Sequence, residues 1–304
     1  MSSAMTRSIY CALLLLFSLE VGASLKVFTC ESEWAALTKT IGGDLVNVFS
    51  ATSANQDPHF IEARPSLIAR VRRADLLVCS GAGLEVGWLP LLLRKSANPR
   101  VQPGASGHFT ATSHVSLLEK PTTLDRSQGD VHAAGNPHVH LDPDRMLIIG
   151  RALRDRMVQL LPESAAQLDS NFNNFEEKLT SMLERQSVEI SKLAGTNIVV
   201  HHNSWVYLTD WLQLNQVATI EPKPGIPPTS NFLASLVRQL SAISVKHIIR
   251  AGYQNPRASK WLAGRIETPV RVLPYSPENW ETEGALILWY QQILETLVLK
   301  GERE

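Results

Sequence analysis

The sequence predicts an α/β protein of two lobes, each a parallel sheet flanked by helices, joined by a long rigid helix. Three observations predict it. Short apolar runs alternate with helical patterns between residues 25 and 93, and the same alternation resumes at residue 197. Between the two series lies a long helical pattern with few turn signals. Strands alternating with helices are the pattern of βαβ units, which assemble into parallel sheets.

In the first half, residues 25–29 read as a strand and 33–41 as a helix closed by Gly42-Gly43, residues suited to a helix C-terminus. Residues 45–49 form a second strand. A helix over 65–73 opens with Pro65, whose missing N–H costs nothing in a first turn. The third strand, 76–79, is nearly all apolar, as a strand covered on both faces should be. Gly81 to Gly83 turns into a helix through residue 93. Residues 104–141, rich in Gly, Pro, Ser, Thr and His, break the rhythm and read mostly as loop.

From residue 143 to about 193 the pattern is helical, with Leu160, Leu168, Phe172, Phe175, Leu179 and Leu183 on one apolar stripe. Pro162 predicts a break near Leu161. The second half then gives strands at 197–200, 217–220, 246–249 and 270–273. Helices fall at 204–213, 230–240 with Ser230 as cap, 256–264 and 282–299, and 221–229 is a Pro-rich loop. The expected division is an N-terminal lobe at 24–141, a connecting helix at 142–193 and a C-terminal lobe at 194–304.

The 304 residues carry 29 basic and 29 acidic side chains and no net charge, which gives no basis for nucleic-acid binding. Arg7, the apolar run at 9–19 and Val21-Gly22-Ala23 form a secretory signal over residues 1–23. The run is short of the roughly 20 apolar residues that span a bilayer. No Cys stands at the cleavage site, so a periplasmic protein without a lipid anchor is expected, and Cys11 leaves with the signal. Cys30 and Cys79 remain, each at the end of an apolar strand pattern. In an oxidising compartment they can pair. Two buried free thiols fit equally, because spacing does not fix the separation of the Cα atoms.

Of nine histidines, three stand out by position. His59 follows Asp57-Pro58 beyond the second strand, His138 follows Asn136-Pro137 in the long loop, and His202 follows the strand at 197–200. Ligands of open α/β sheets bind outside the carboxyl ends of the strands. Neutral imidazole is a good zinc ligand, and a preceding Pro restrains the backbone that carries it. A single loop histidine is usually a solvated side chain; the joint placement of three is what points to a metal. His132 and His140 flank His138 as possible accessory ligands, His201 neighbours His202, His108 and His114 read as surface loop residues, and His247 reads as a packed core residue.

These motifs carry a resemblance. Asp57-Pro58-His59 with Glu62, the run Asn136-Pro137-His138-Val139-His140-Leu141-Asp142-Pro143, the run His202-Asn203-Ser204-Trp205 and the loop Glu221-Pro222-Lys223-Pro224-Gly225 are similar, in order, to the motif series of the zinc/manganese solute-binding proteins of ABC transporters, cluster A-I or ZnuA/TroA-like. The resemblance implies two α/β lobes with the metal between them, held by His59, His138 and His202. It implies a monomeric receptor, not an enzyme, that delivers its ion to an ABC transporter permease in the inner membrane.

The sequence departs from the family pattern in two places. His140 stands where the family usually has an aromatic residue, most often Trp, and no Asp follows the last strand, where the family often has a fourth, acidic ligand. Water, His140 or Glu278 is left for that position. Imidazole suits zinc and carboxylate suits manganese, so Zn2+ is the expected ion, with Mn2+ or Fe2+ as the alternative. A secreted zinc hydrolase would also use three protein ligands, but it needs a general base in reach, and Glu62 is the one candidate by spacing.

Overall fold

The computed structural model describes residues 24–121 and 132–298. The export signal expected at 1–23, with Cys11, lies outside the described residues. Among these residues no helix is long and apolar enough to cross a membrane.

The first sheet is built from β1 (Leu25–Thr29), β2 (Val46–Ser50), β3 (Leu76–Cys79) and β4 (His108–Thr110), in the order β2-β1-β3-β4. All its pairs are parallel, and α1 (Ser32–Gly42), α2 (Pro65–Arg73) and α3 (Leu89–Ser96) flank it. The second sheet repeats the plan with β5 (Asn197–Val200), β6 (Asn215–Thr219), β7 (His247–Ala251) and β8 (Val270–Leu273), ordered β6-β5-β7-β8 and again all parallel. Its helices are α6 (Val206–Trp211), α7 (Ser230–Leu240) and α8 (Pro256–Ile266). In each sheet the chain goes to one side of its first strand and then to the other. A crevice therefore opens at the carboxyl ends of the strands, at the point where the winding reverses.

Between the sheets run α4 (Pro143–Leu160) and α5 (Ala165–Leu193), and α9 (Ala285–Val298) ends the described chain. The break between α4 and α5 falls at Leu161, just ahead of Pro162. Asp142 caps α4 by accepting the N–H groups of Asp144 and Arg145. One apolar cluster joins strand residues of both sheets (Val27, Val78, Ile198, Ile249) to Leu37 of α1, Ile149 of α4, Phe172 and Leu179 of α5, and Trp289 and Ile293 of α9. Smaller clusters lie under the outer helices of each lobe, around Leu67, Val71 and Leu92 in one and Leu236, Ile248 and Leu262 in the other.

The structure corrects several sequence expectations. β4 lies within the expected loop; His108, placed there as a loop residue, is on this strand and its Nδ1 lies 2.9 Å from the Val101 carbonyl. A three-residue strand has no period to read, and pairing to β3 with burial of Phe109 makes it. The helix expected directly after Gly81–Gly83 starts only at Leu89: residues 84–88 form turns, the N–H groups of Leu84, Val86 and Trp88 each donating to the carbonyl three residues back, and Trp88 at φ −139° lies outside helical space. Thr229, not Ser230, caps α7, its hydroxyl accepting the Phe232 N–H.

Cys30 and Cys79, at the ends of the paired strands β1 and β3, form a disulfide with Cα atoms 4.8 Å apart. Beside it the carboxyls of Glu31 and Glu85 are buried. Glu85 accepts the N–H groups of Ser80 and Gly81, yet burial pushes its pKa up to about 7. Burial, with the charges of Glu85 and Glu33, raises Glu31 well above the carboxylate range.

Candidate metal centre

Asp57-Pro58-His59 forms a tight turn beyond β2. The Asp57 Oδ1 accepts the His59 backbone N–H at 3.0 Å and lies 2.7 Å from the same residue's ring Nδ1. Trp88 donates its indole N–H to the Pro58 carbonyl and pins the turn. Burial alone would raise the Asp57 pKa, but the hydrogen bonds and charge of His59 outweigh it and hold the carboxyl below its ordinary value. An ionised carboxylate only accepts, so a ring proton sits on Nδ1, and Nε2 faces the neighbouring ring of His132.

Asn136-Pro137-His138 repeats this local design: Asn136 Oδ1 accepts the His138 N–H at 3.1 Å. The Asn136 Nδ2 donates to the Asn203 carbonyl and to Glu119, so the loop is tied to the C-terminal lobe. His138 is 1 % exposed, and its Nδ1 lies 2.5 Å from the Tyr275 hydroxyl oxygen. Burial, reinforced by the neighbouring imidazoles, drives its pKa well below the ordinary histidine value, so the ring is neutral.

His202 follows β5, and its Nδ1 lies 2.7 Å from Glu221 Oε2. Gly225, at φ 76°, turns the Pro-rich loop back so that its N–H reaches the same oxygen at 2.8 Å. His201, 6 % exposed, stands with Nε2 3.8 Å from the other carboxylate oxygen of Glu221.

The three rings converge. The centroid of His59 lies 5.5 Å from that of His138 and 5.8 Å from that of His202, and His138 and His202 are 6.4 Å apart. His132 joins them, its Nε2 3.3 Å from the His59 Nε2 and its centroid 6.1 Å from His138. Ring nitrogens of His59, His132 and His138 lie within 4.8 Å of one another. Burial and the adjacent imidazoles lower the His132 pKa to about 4. Among the described residues this group consists of ring nitrogens, and the Glu119 carboxylate lines the same cavity as His132, His138 and His202.

The His140 ring centroid lies 6.3 Å from that of His138, but its ring nitrogens turn to other partners, and Glu278 lies outside the group. The His140 ring stacks on Trp289 at 5.8 Å and meets Trp34 and Tyr275 edge-on. Its Nε2 lies 3.2 Å from the Tyr275 carbonyl and its Nδ1 3.4 Å from Glu33. It does an aromatic residue's work, in keeping with the residue the family usually has there. Glu278 is exposed and accepts a hydrogen bond from Asn55 at 3.4 Å. Glu62 is exposed and absent from the cluster. Sequence reasoning missed the orienting partners Glu221 and Tyr275; the signal for the first was an acid placed just before a Pro-Lys-Pro-Gly loop.

Known proteins resemble this chain in sequence and in fold. Over 233 residues, 75% of this chain, the sequence is 26% identical to the zinc-binding lipoprotein AdcA of Streptococcus pneumoniae, but it spans only 44% of that relative. It is 24% identical over 204 residues to the high-affinity zinc uptake system protein ZnuA of Yersinia pestis, covering 60% of this chain and 61% of that one. In fold it matches the SBP FpvC from Pseudomonas aeruginosa in complex with Mn2+, with a TM-score of 0.77 at 20% identity over 90% of this chain and 97% of that one. The family model of ZnuA, zinc-uptake complex component A periplasmic, matches residues 27–299, and the chain belongs to that family.

Proposed function

We propose that this chain is a periplasmic receptor that binds Zn2+ between its lobes through His59, His138 and His202, with His132 in the fourth position, and passes it to an ABC transporter permease. The observation that carries the reading is the tautomer pattern. Nδ1 of His59 faces Asp57 and Nδ1 of His202 faces Glu221, acceptors that hold a ring proton there and leave Nε2 for an ion, and the Tyr275 hydroxyl at Nδ1 of His138 can accept in the same way. Outer partners of this kind fix ring orientation and raise ligand basicity.

Four imidazoles favour zinc over manganese. The carboxylates nearest the cluster are engaged: Asp57 and Glu221 with imidazoles, and Glu119 with the amides of Asn136 and Asn203. None stands ready as the general base a hydrolase needs, which favours capture and release of the ion over catalysis. The exported monomer is expected to hold one ion.

Metal content and competition titration of the chelator-stripped protein test this, with His59→Ala beside it. One zinc per chain, preferred over manganese and greatly weakened in the variant, is the expected result. No stoichiometric metal, or tight binding indifferent to His59, overturns it, and preference for manganese reassigns the cargo.

A further inference from the structure

The chain is neutral overall, yet residues 64–100 carry seven Arg and Lys side chains against two carboxylates. Of those two, Glu85 is buried and Asp75 is paired with Arg100 at 2.8 Å. The other six cations are exposed and form no ion pair among the described residues. Most of them gather at one end of the N-terminal lobe. α2 and α3 each run back toward the amino ends of the strands, so their last turns bring Arg70, Arg72 and Arg73 to the same end as Arg94 and Lys95. Arg72 donates to the carbonyls of Lys95 and Ser96 and ties the two helix ends side by side. Arg70 and Arg73 join Lys26 of β1 around a cavity of about 400 Å³ that Phe28 and Phe49 also line and no carboxylate does. The Arg70 guanidinium lies 4.7 Å from the Phe49 ring centroid. Cations at a helix C-terminus complement its dipole. The last turn of α5 does so with Lys192 alone, itself paired with Glu189, so the unpaired excess on α2 and α3 goes beyond that role. His59 lies past the carboxyl ends of the strands, at the opposite end of the lobe.

We propose that this basic end docks on an anionic phospholipid surface, with headgroup phosphates on Lys26, Arg70 and Arg73 and the glycerol portion of one lipid against Phe49. Long side chains without fixed partners, spread over two helix ends and a strand, suit a fluid layer of phosphates better than one rigid acidic partner. Basic residues close to an anionic leaflet add their attractions, which fade within a Debye length, about 10 Å at 0.1 M salt. A chain held this way keeps its histidine cluster turned from the bilayer and open to the surrounding fluid. The contact uses none of the proposed zinc ligands and is independent of what they hold.

Co-sedimentation with vesicles tests it, using the protein without residues 1–23, whose apolar run would itself enter lipid. One vesicle set is pure phosphatidylcholine, and in the other about a third of the lipid is phosphatidylglycerol. Arg73→Glu with Lys95→Glu reverses charge on the basic end; Arg185→Glu with Lys260→Glu makes the same change on α5 and α8. All four residues are exposed, and matching near-ultraviolet circular dichroism reports that both variants are folded. Expected is binding about tenfold or more tighter to the anionic vesicles, abolished by salt on the order of 0.5 M. The Arg73/Lys95 variant should lose about tenfold and the control no more than about threefold, with or without zinc. Equal binding to both vesicle types, or a control that falls as far as the Arg73/Lys95 variant, overturns the docking face. Release by millimolar glycerol phosphate at constant ionic strength assigns the cavity to a free anion and overturns it too. Zinc affinity, measured in parallel, stays at the wild-type value in both variants, so the receptor reading stands or falls separately.

Discussion

Nδ1 of His202 lies 2.7 Å from Oε2 of Glu221, and the same oxygen accepts the Gly225 N–H. One carboxylate therefore sets both the tautomer of a proposed ligand and the fold of the Pro-rich loop. Glu221→Gln keeps the size but loses the charge and the obligatory acceptor. Zinc affinity is expected to fall roughly 10–100-fold with one-to-one stoichiometry kept, read by competition against a chelating dye. An unchanged affinity would remove Glu221 from the support of the site.

His132 and His140 flank His138 in sequence but have opposite surroundings. His132→Ala is expected to weaken zinc binding by roughly tenfold or more, about 1.4 kcal/mol. His140→Phe retains the ring stacked on Trp289 and is expected to leave zinc affinity within threefold. A large loss in His140→Phe would return His140 to the ligand set.

The pH dependence of stability carries two opposed signs. Burial, reinforced by Arg271 and Lys246, lowers the His247 pKa to about 4. The unfolded chain takes up that proton near 6.5, so this contribution is present above pH 6.5 and is lost as pH falls toward 4. Glu85 runs the other way. Its pKa, raised to about 7, gives a contribution present below pH 4.5 and lost as pH rises through 7. In denaturant titrations of the metal-free protein, His247→Gln should shrink the loss between pH 7 and pH 4.5 by on the order of 2 kcal/mol. Glu85→Gln should shrink the loss between pH 5 and pH 8. Slopes identical to wild type would count against both assignments.

The Cys30–Cys79 bond closes a loop over a sequence separation of 49. Loop-closure entropy puts its worth at about 4 kcal/mol, with native strain and denatured-state structure able to reduce that. The double variant Cys30→Ala with Cys79→Ala should unfold at lower denaturant by that order, and wild type in reductant should match it. A difference under about 1 kcal/mol would make the bond dispensable.

Much of this architecture was legible because it rests on local chemistry. The strands at 76–79, 197–200 and 270–273 and the helix at 65–73 have the observed bounds, and Pro162 marks the break at Leu161. Elements made by partners rather than by pattern were not. β4 exists through its pairing with β3, and α3 starts late because residues 84–88 close turns before it. Placing His59, His138 and His202 beyond strand ends or in the long loop found the converging rings. Whether His140 faced them turned on Trp289, 149 positions away in the chain, and no local pattern carries that distance.

The apolar cluster that joins both sheets through α1, α4, α5 and α9 bears on how cargo leaves. Swinging one lobe open about the other would expose Phe172, Leu179 and Trp289 to water, at roughly 1.5–3 kcal/mol for each large side chain. On the proposed receptor reading, discharge then falls to the turns that carry His59 and His138, and a permease that prises these aside need not disturb the scaffold beneath. Heat should accordingly melt the chain in a single cooperative step, so that a receptor damaged anywhere in its interior forfeits its grip everywhere at once.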